Sequence, residues 1–331
     1  MSQSPTMNDV ARVAQVALKT VSRYVNGATN IDPVLSKRIG DAIEELGYRR
    51  NLAAASIRPG WTSRMVGLII SDLANPYYST LARAIEEILG AEGYMLIVAS
   101  SEEDGEQHDR LVNRLIDQRV DGLIIVPPQK AGRDWSRFPP PIPPLVFLDR
   151  PGAYERADTV LADDRDGAAA ATNTLLDAGA RRIAFVGDSR GIYTMQERFH
   201  GYAAALEARG IPVDDALVQD GAHTGDHAAR IVGELLDRGE ADAVFAANNR
   251  ASIGALFAFR ERGRELPLVG FDDFEAAPLN VPAVTVATPD LDEMGRTAAR
   301  LLLARLRGSD EPALTERLPV DVVLRGSQLP R

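Results

Sequence analysis

Cysteine is absent from this 331-residue chain, which excludes disulfide staples, thiolate metal sites and cysteine nucleophiles and agrees with a reducing compartment. Histidine is scarce. His108, His200, His223 and His227 are too scattered for a metal motif, and no Glu follows His223 as it would in a zinc-protease His pair. No run of about 18 apolar residues occurs, so no membrane span is expected. The opening MSQSPTMNDVARVAQ has no basic stretch followed by an apolar core, and the expected location is the cytoplasm. Phosphate-cradling turns are missing as well: VGLIISDLANPYY holds neither G-x-G-x-x-G nor G-K-[ST], which argues against nicotinamide and nucleotide enzymes. No serine stands in a G-x-S-x-G turn. With no catalytic constellation, the expectation is a protein that is not an enzyme and carries no metal and no cofactor.

What is present describes an ordinary folded protein, 45% apolar and 25% charged. The length allows one small and one larger domain, or three compact units. A net charge of −10 hides a split: residues 1–60 carry eight Lys/Arg against five Asp/Glu, a surplus of three, which leaves −13 on the remainder. A basic head on an acidic body is what phosphate attraction combined with a non-sticky receptor domain would need.

In the head, Thr6-Met-Asn-Asp9 fits a helix start in which the Thr6 hydroxyl accepts a backbone N–H and Asp9 returns the bond. Val10, Val13 and Ala14 follow at helical spacing. A break at Gln15-Val16-Ala17 leads to a second short helix, Leu18 to Val25, closed at Asn26-Gly27. The third is capped by Asp32, begun by Pro33 and stopped by Gly47, with Val34, Leu35, Ile39, Ile43 and Leu46 as its expected buried stripe. Two short helices about a tight turn form a helix-turn-helix, whose second helix would enter a major groove. Thr6, Leu18, Lys19, Thr20, Ser22, Arg23 and Asn26 are the candidate DNA-facing residues. Lys19 and Arg23 could donate to guanine or grip phosphates, and Leu18 could meet a thymine methyl. A three-helix bundle with a solvated basic face fits the same pattern, and residue types alone leave both open.

DVARVAQV, KTVSR and NG, followed by AIEELGYRRN, resemble the headpiece signature of the lactose/galactose repressor (LacI/GalR-type) family of transcription regulators. Two positions depart from it: Gln15 stands where a turn glycine is usual, and Ala17 where a serine usually caps the recognition helix. Each change costs on the order of 1 kcal/mol. The next stretch, Asn51-Leu-Ala-Ala-Ala-Ser-Ile57, has good helix formers but only about two turns, too few to hold a helix alone. By itself it is a linker ending at Pro59-Gly60. The resemblance implies a hinge helix that forms when two subunits meet on the operator, with Asn51 and Ala54 at the DNA and Ile57 at the minor-groove wedge. Ala55 occupies a position where the family often has arginine, so one electrostatic contact is missing.

From Met65 apolar strands alternate with amphipathic helices: VGLII (66–70), a helix over 77–92, YMLIVAS (94–100), a helix over 106–118 and DGLIIVPP (121–128). The theme repeats with RRIAFVGD (181–188), a helix over 194–209, AVFAANN (243–249), a helix over 251–262 and PLVGFDD (267–273). This predicts an α/β body of two doubly wound parallel-sheet lobes, with a ligand beyond the carboxyl ends of the strands in a shared cleft. The residues there include Ser71-Asp72, Asn75, Tyr77-Tyr78, Asp149-Arg150, Gly187-Asp188, Asn248-Asn249 and Asp272-Asp273, with Arg198 on a following helix. Rings that cover apolar sugar edges, carboxylates that accept from hydroxyls and a guanidinium that donates suit a polyhydroxylated ligand. The same aspartates also serve as turn and helix caps.

The resemblance continues through nearly the whole body, in GLIISDLANPYYSTLARAIEE, VDGLIIVPP, RRIAFVGD, ERFHGYAAAL, FAANN, VGFDD and PDLDEMGRTAARLLL. It implies a periplasmic-binding-protein-like fold joined to the small all-α headpiece. Effector contacts are implied at Tyr77, Tyr78, Arg198, Asn248 and Asp272, and Ser71, Asp149, Thr194 and His223 complete the candidate set. Asn249 replaces a usual aspartate. The family's chain crosses between lobes three times, so 293–306 should return to the first lobe. The boundaries that follow are 1–50 for the headpiece, 51–63 for the hinge, 64–160 with 289–318 for the N-terminal lobe, and 161–288 with 319–331 for the C-terminal lobe. The implied function is a sequence-specific repressor whose affinity for an inverted-repeat operator in double-stranded DNA is controlled by a small-molecule effector, a carbohydrate. VVLRGSQLPR shows no heptad extension, so a homodimer is expected, with no membrane partner. A sugar-transport receptor would share the body but would need an export signal and no DNA head.

Overall fold

The computed structural model describes residues 5–49, 62–129, 135 and 138–330. These fall into two compact units, one up to Ser63 and one from Arg64. The hinge candidates Asn51, Ala54 and Ile57 lie outside the described residues.

The first unit holds α1 (Met7–Ala14), α2 (Leu18–Val25) and α3 (Pro33–Leu46). Thr6 and Asp9 form a capping box: the Asp9 N–H donates to Thr6 Oγ1 at 3.4 Å and the Thr6 N–H to Asp9 Oδ2 at 2.9 Å. The Thr6 hydroxyl and N–H, with Arg12, hold the Asp9 carboxyl down to about 2. Gln15 ends α1 in the left-handed region, at φ 51° and ψ 48°, and Ala17 starts α2 without a side-chain cap. The Asp32 carboxylate accepts from the N–H groups of Val34 and Leu35, and Pro33 sets the first turn of α3. Val10, Ala14, Val21, Ile39 and Ala42 make the core, with Ile43 and Leu46 packed against it. One expectation about the buried stripe fails here. Val34 is 66% exposed, and Leu35 beside it is only half-buried. Five residues separate Val34 from Ile39, which at 3.6 residues per turn places it about 140° round the helix from the buried stripe.

The second unit contains two six-stranded sheets. The first is built from β1 (Met65–Ile70), β2 (Met95–Ser100), β3 (Gly122–Ile125), β4 (Leu145–Leu148), β5 (Asp158–Ala162) and β11 (Thr315–Leu318), in the order β11-β5-β4-β3-β1-β2, all parallel. The second is built from β6 (Ile183–Val186), β7 (Val218–Gln219), β8 (Ala243–Ala246), β9 (Leu268–Phe271), β10 (Thr285–Pro289) and β12 (Val320–Val323), in the order β12-β10-β9-β8-β6-β7. Only β12 runs antiparallel, against β10. Helices α4 (Pro76–Ala91), α5 (Gly105–Asp117) and α10 (Leu291–Leu306) cover the first sheet, and α6 (Asp164–Asp177), α7 (Tyr193–Ala208), α8 (Gly225–Arg238) and α9 (Asn249–Arg262) the second.

Both faces of each sheet are covered, which is why the strands read as continuous apolar runs. In β1, Val66, Leu68 and Ile70 enter the core beneath α4 and α10, while Ile69 enters the opposite core beneath α5, the period of two that a strand imposes. The chain leaves the first sheet after Ala162 and returns through α10, whose Met294, Ala298 and Leu302 pack with Leu81 and Ile85 of α4. It then lays β11 in the first sheet and β12 in the second. These crossings bring the carboxyl ends of both sheets to one place. Among the described residues no helix is long and apolar enough to cross a membrane.

Candidate functional site

On the headpiece, Val21 turns α2 toward the core and leaves Leu18, Lys19 and Arg23 exposed, with Thr20 and Ser22 half-buried. Arg23 reaches back to the loop before α3, where its Nη2 donates to the Asn30 carbonyl at 3.2 Å and to Asn30 Oδ1. Asn26 donates to the Ser22 carbonyl at 2.7 Å and closes α2. The Thr6 hydroxyl is engaged in its cap, donating to Asp9 Oδ2 at 2.7 Å. A short helix is thus presented with two cationic side chains and one apolar side chain outward, the combination that reaches phosphates, base edges and thymine methyls.

In the body, Asp149 follows β4 and Asp272 follows β9. Both are buried, and both are held at positive φ, 68° and 64°, a region aspartate tolerates better than most side chains. The Tyr77 hydroxyl donates to Asp149 Oδ1 at 2.6 Å and the Tyr78 hydroxyl to Oδ2 at 3.4 Å, with the two rings edge to face at 5.1 Å. Burial, with the Asp149 charge beside it, pushes the Tyr77 hydroxyl well above its ordinary value. Arg150 donates to Glu103 Oε2 at 3.0 Å and to the Pro127 carbonyl at 3.1 Å, and Ser71 donates to Glu103.

The facing lobe centres on Arg198. Its Nε donates to Asp164 Oδ1 at 2.6 Å, Nη1 to Asp272 Oδ2 at 2.9 Å and to the Ala247 carbonyl at 2.8 Å, and Nη2 to Asp272 Oδ1 at 3.2 Å. The guanidinium also stands 3.7 Å from the centroid of the Phe271 ring. Close helix packing makes this reach attainable: a Cβ on Gly201 would fall 2.1 Å from the Arg165 carbonyl, so only glycine lets α7 lie against the start of α6, where Asp164 sits. Burial pushes the Asp164 carboxyl up to about 7 in spite of Arg198, and its Oδ2 has no hydrogen-bond partner. Burial raises Asp272 too, against the pull of Arg198. Asn248 caps α9 through the Ala251 N–H at 2.7 Å, Thr194 is buried in the first turn of α7, and His223 pairs with Asp188.

Between the lobes lies a cleft of about 260 Å³. Bonds cross it: Asn249 donates to Asn75 Oδ1 at 2.8 Å, Arg250 pairs with Asp72, and Gln129 donates to Ser189 Oγ at 3.0 Å.

Comparison with known proteins agrees with both halves. The model of bacterial regulatory proteins of the lacI family matches residues 6–51, and that of the periplasmic binding protein-like domain matches residues 172–328. The HTH-type transcriptional regulator CelR of Thermobifida fusca is 32% identical over 335 residues, 98% of each chain. Catabolite control protein A of Priestia megaterium is 30% identical over 328 residues, 97% of this chain and 98% of that one. The chain belongs to the LacI family of bacterial regulatory proteins. A solved structure of a CelR-cellobiose complex, 30% identical, covers 98% of this chain and 99% of its own, with a TM-score of 0.71. As a LacI-family member the protein is a DNA-binding transcription regulator, and its small helical head and two parallel-sheet lobes are the family's architecture.

All of the candidate effector residues, Ser71, Tyr77, Tyr78, Asp149, Thr194, Arg198, His223, Asn248 and Asp272, line this one LacI-type cleft. Glu102, Glu103, Ile192, Met195 and Arg250 line it too and were not in the candidate set. The glutamates stand two and three residues after YMLIVAS, so the strand-end rule that found Ser71 would have found them. Ile192 and Met195 flank Thr194, and Arg250 stands two residues after Asn248. Asp164, the third carboxylate around Arg198, gave no comparable signal: LADDRDG reads as an acidic helix start until α7 is laid against it.

Proposed function

We propose that this LacI-family regulator is a homodimeric repressor, acting in the cytoplasm, that holds an inverted-repeat operator through α2 of each headpiece and whose operator affinity is controlled by a small carbohydrate in the cleft. Residues 51–63 act as the hinge through which closure of the lobes is read by the headpiece. The reading is carried by one observation: side chains from both lobes, an edge-to-face tyrosine pair with Asp149 on one side and Arg198 with Asp272 on the other, converge on a single cleft at the carboxyl ends of both sheets. Ring faces cover the apolar edges of a sugar while carboxylates and guanidinium exchange hydrogen bonds with its hydroxyls. A ligand that touches both lobes favours one degree of closure over another, and a differential affinity of this kind is what couples a remote DNA site, typically by about 1–3 kcal/mol. The cellobiose named with the solved CelR structure supports the carbohydrate class.

Selection of bound sites from a random DNA pool, followed by titration of the best site at several salt concentrations with and without sugars, tests the proposal. Two inverted half-sites, a steep salt slope and a sugar-dependent shift in affinity are expected. Binding without sequence preference, or a site indifferent to every sugar, would refute it.

A further inference from the structure

We infer that Asp164, which does not itself line the cleft, is a positioning residue for the effector: it holds the Arg198 guanidinium in register with Asp272, and it does so as a neutral acid once the cleft is filled, so that effector binding takes up a proton. The inference rests on the effector reading above and adds a residue to it. Arg198 and Asp272 line the cleft. The Asp164 side chain is 1% exposed, so a ligand acts on it only through Arg198.

The two ends of the guanidinium are held by different groups. Asp272 and the Ala247 carbonyl accept from the Nη end, and Asp164 Oδ1 accepts from Nε. A guanidinium is planar and offers its N–H groups in a fixed fork, so a partner at Nε also sets where the Nη groups stand and where Asp272 meets them. Without that bond the fork can pivot on Asp272 over the Phe271 ring, and the Asp272 carboxylate turns with it.

Charge then decides the state of Asp164. With a proton on it, Arg198 and Asp272 balance one to one. Without the proton, the buried group carries one negative charge in excess. Arg198 faces it from α7, Asp272 from the end of β9 and Asp149 from the end of β4, the last two both negative. Its chain neighbours Asp163, Arg165 and Asp166 add two further acids and one base. The strands packed against α6 add little: β8, β9 and β10 hold no titratable side chain, and β12 holds only the exposed Asp321. Asp164 Oδ2 has no hydrogen-bond partner among the described residues, so no donor there stabilises a charge. An effector that displaces water from the cleft makes the excess charge costlier and favours the neutral acid. Burial, against the pull of Arg198, already holds the carboxyl at about 7. If a filled cleft lifts it by about one unit more, affinity falls about fivefold from pH 6 to pH 8, and binding at pH 7 takes up about 0.4 proton.

Isothermal titration of the full-length protein at pH 6 with glucose, galactose, xylose, ribose, cellobiose and lactose selects a sugar that binds. That sugar is then titrated into wild type, Asp164→Asn and Asp164→Ala at pH 6, 7 and 8, and into wild type at pH 7 in both PIPES and Tris, whose different ionisation heats count the protons taken up. Wild-type affinity should fall about fivefold across the range. Asp164→Asn keeps an acceptor for Nε and cannot titrate, so it should bind as wild type does at pH 6 and stay flat. Asp164→Ala should bind about tenfold more weakly at every pH, with its affinity for a selected operator unchanged. The wild-type profile and the asparagine variant still decide the matter if the alanine variant does not fold. His223, set against Asp188 in the same cleft, titrates in this range too and is retained in Asp164→Asn. A slope that survives in Asp164→Asn, or a flat wild-type profile, therefore overturns the proton uptake. A sugar that binds wild type and Asp164→Ala alike overturns the positioning role and leaves the carbohydrate reading standing. A panel to which folded wild type is silent overturns the carbohydrate reading, and this inference with it.

Discussion

Replacing Asp164 by asparagine should remove a pH dependence of stability that the wild-type body carries. Burial, reinforced by Asp149 and Asp272 and opposed by Arg198, lifts the Asp164 carboxyl from an ordinary 3.8 to about 7 in the folded protein. A carboxyl whose folded value is raised holds its proton more tightly when folded. Its stabilisation is fully present below about pH 4 and is lost as pH rises through about 7, beyond which a buried charge must be carried. About three units at 1.36 kcal/mol each set the full span at about 4 kcal/mol. The asparagine side chain would keep the shape and still accept from Arg198 Nε, but it cannot titrate. Melting curves of both proteins between pH 5.5 and 8 stay clear of the isoelectric point near 5.0. Within that window wild type should lose about 2 kcal/mol relative to Asp164→Asn, or roughly 4 °C in melting temperature for a body of this size. A difference that stays flat over the window, or that grows in favour of wild type as pH rises, would refute the account of the buried cluster.

Asp272→Ala leaves Arg198 with only Asp164 and the Ala247 carbonyl as partners, and the effector response should vanish while the isolated operator interaction persists; a normal response would reassign the cleft. Arg23→Ala should weaken operator binding by about 1–3 kcal/mol and relax specificity at one base pair, and a uniform loss across all DNA sequences would make Arg23 a phosphate contact instead. Gln15→Gly relieves a left-handed residue and Ala17→Ser supplies a missing cap, so each should stabilise the headpiece by about 1 kcal/mol, checked by the first transition in a thermal melt. Gly201→Ala forces α7 away from α6 and should cost about 1–3 kcal/mol together with effector affinity, and a variant that melts like wild type would show that the helices have room to spare.

The helix-turn-helix and both sheets were legible because they rest on local rules. Caps at Thr6 and Asp32, stops at Gly47 and runs such as GLII and AFV depend on neighbours a few residues away. The strand-end rule carried further, since it placed Tyr77, Asp149, Arg198 and Asp272 on one cleft without knowing how the lobes meet. It was periodicity that misjudged Val34, because an apolar residue near a helix start shows neither which way it turns nor whether anything stands there to cover it. Composition and order by themselves therefore determined the elements, their succession and the class of residue offered at each strand end. Only the tertiary structure decided which carboxylates share Arg198, that one oxygen of Asp164 has no partner, and that Asn75 meets Asn249. The reason is separation: these contacts join residues 34, 74 and 174 positions apart, and no periodicity or propensity couples positions so distant until the helices have packed on their sheets.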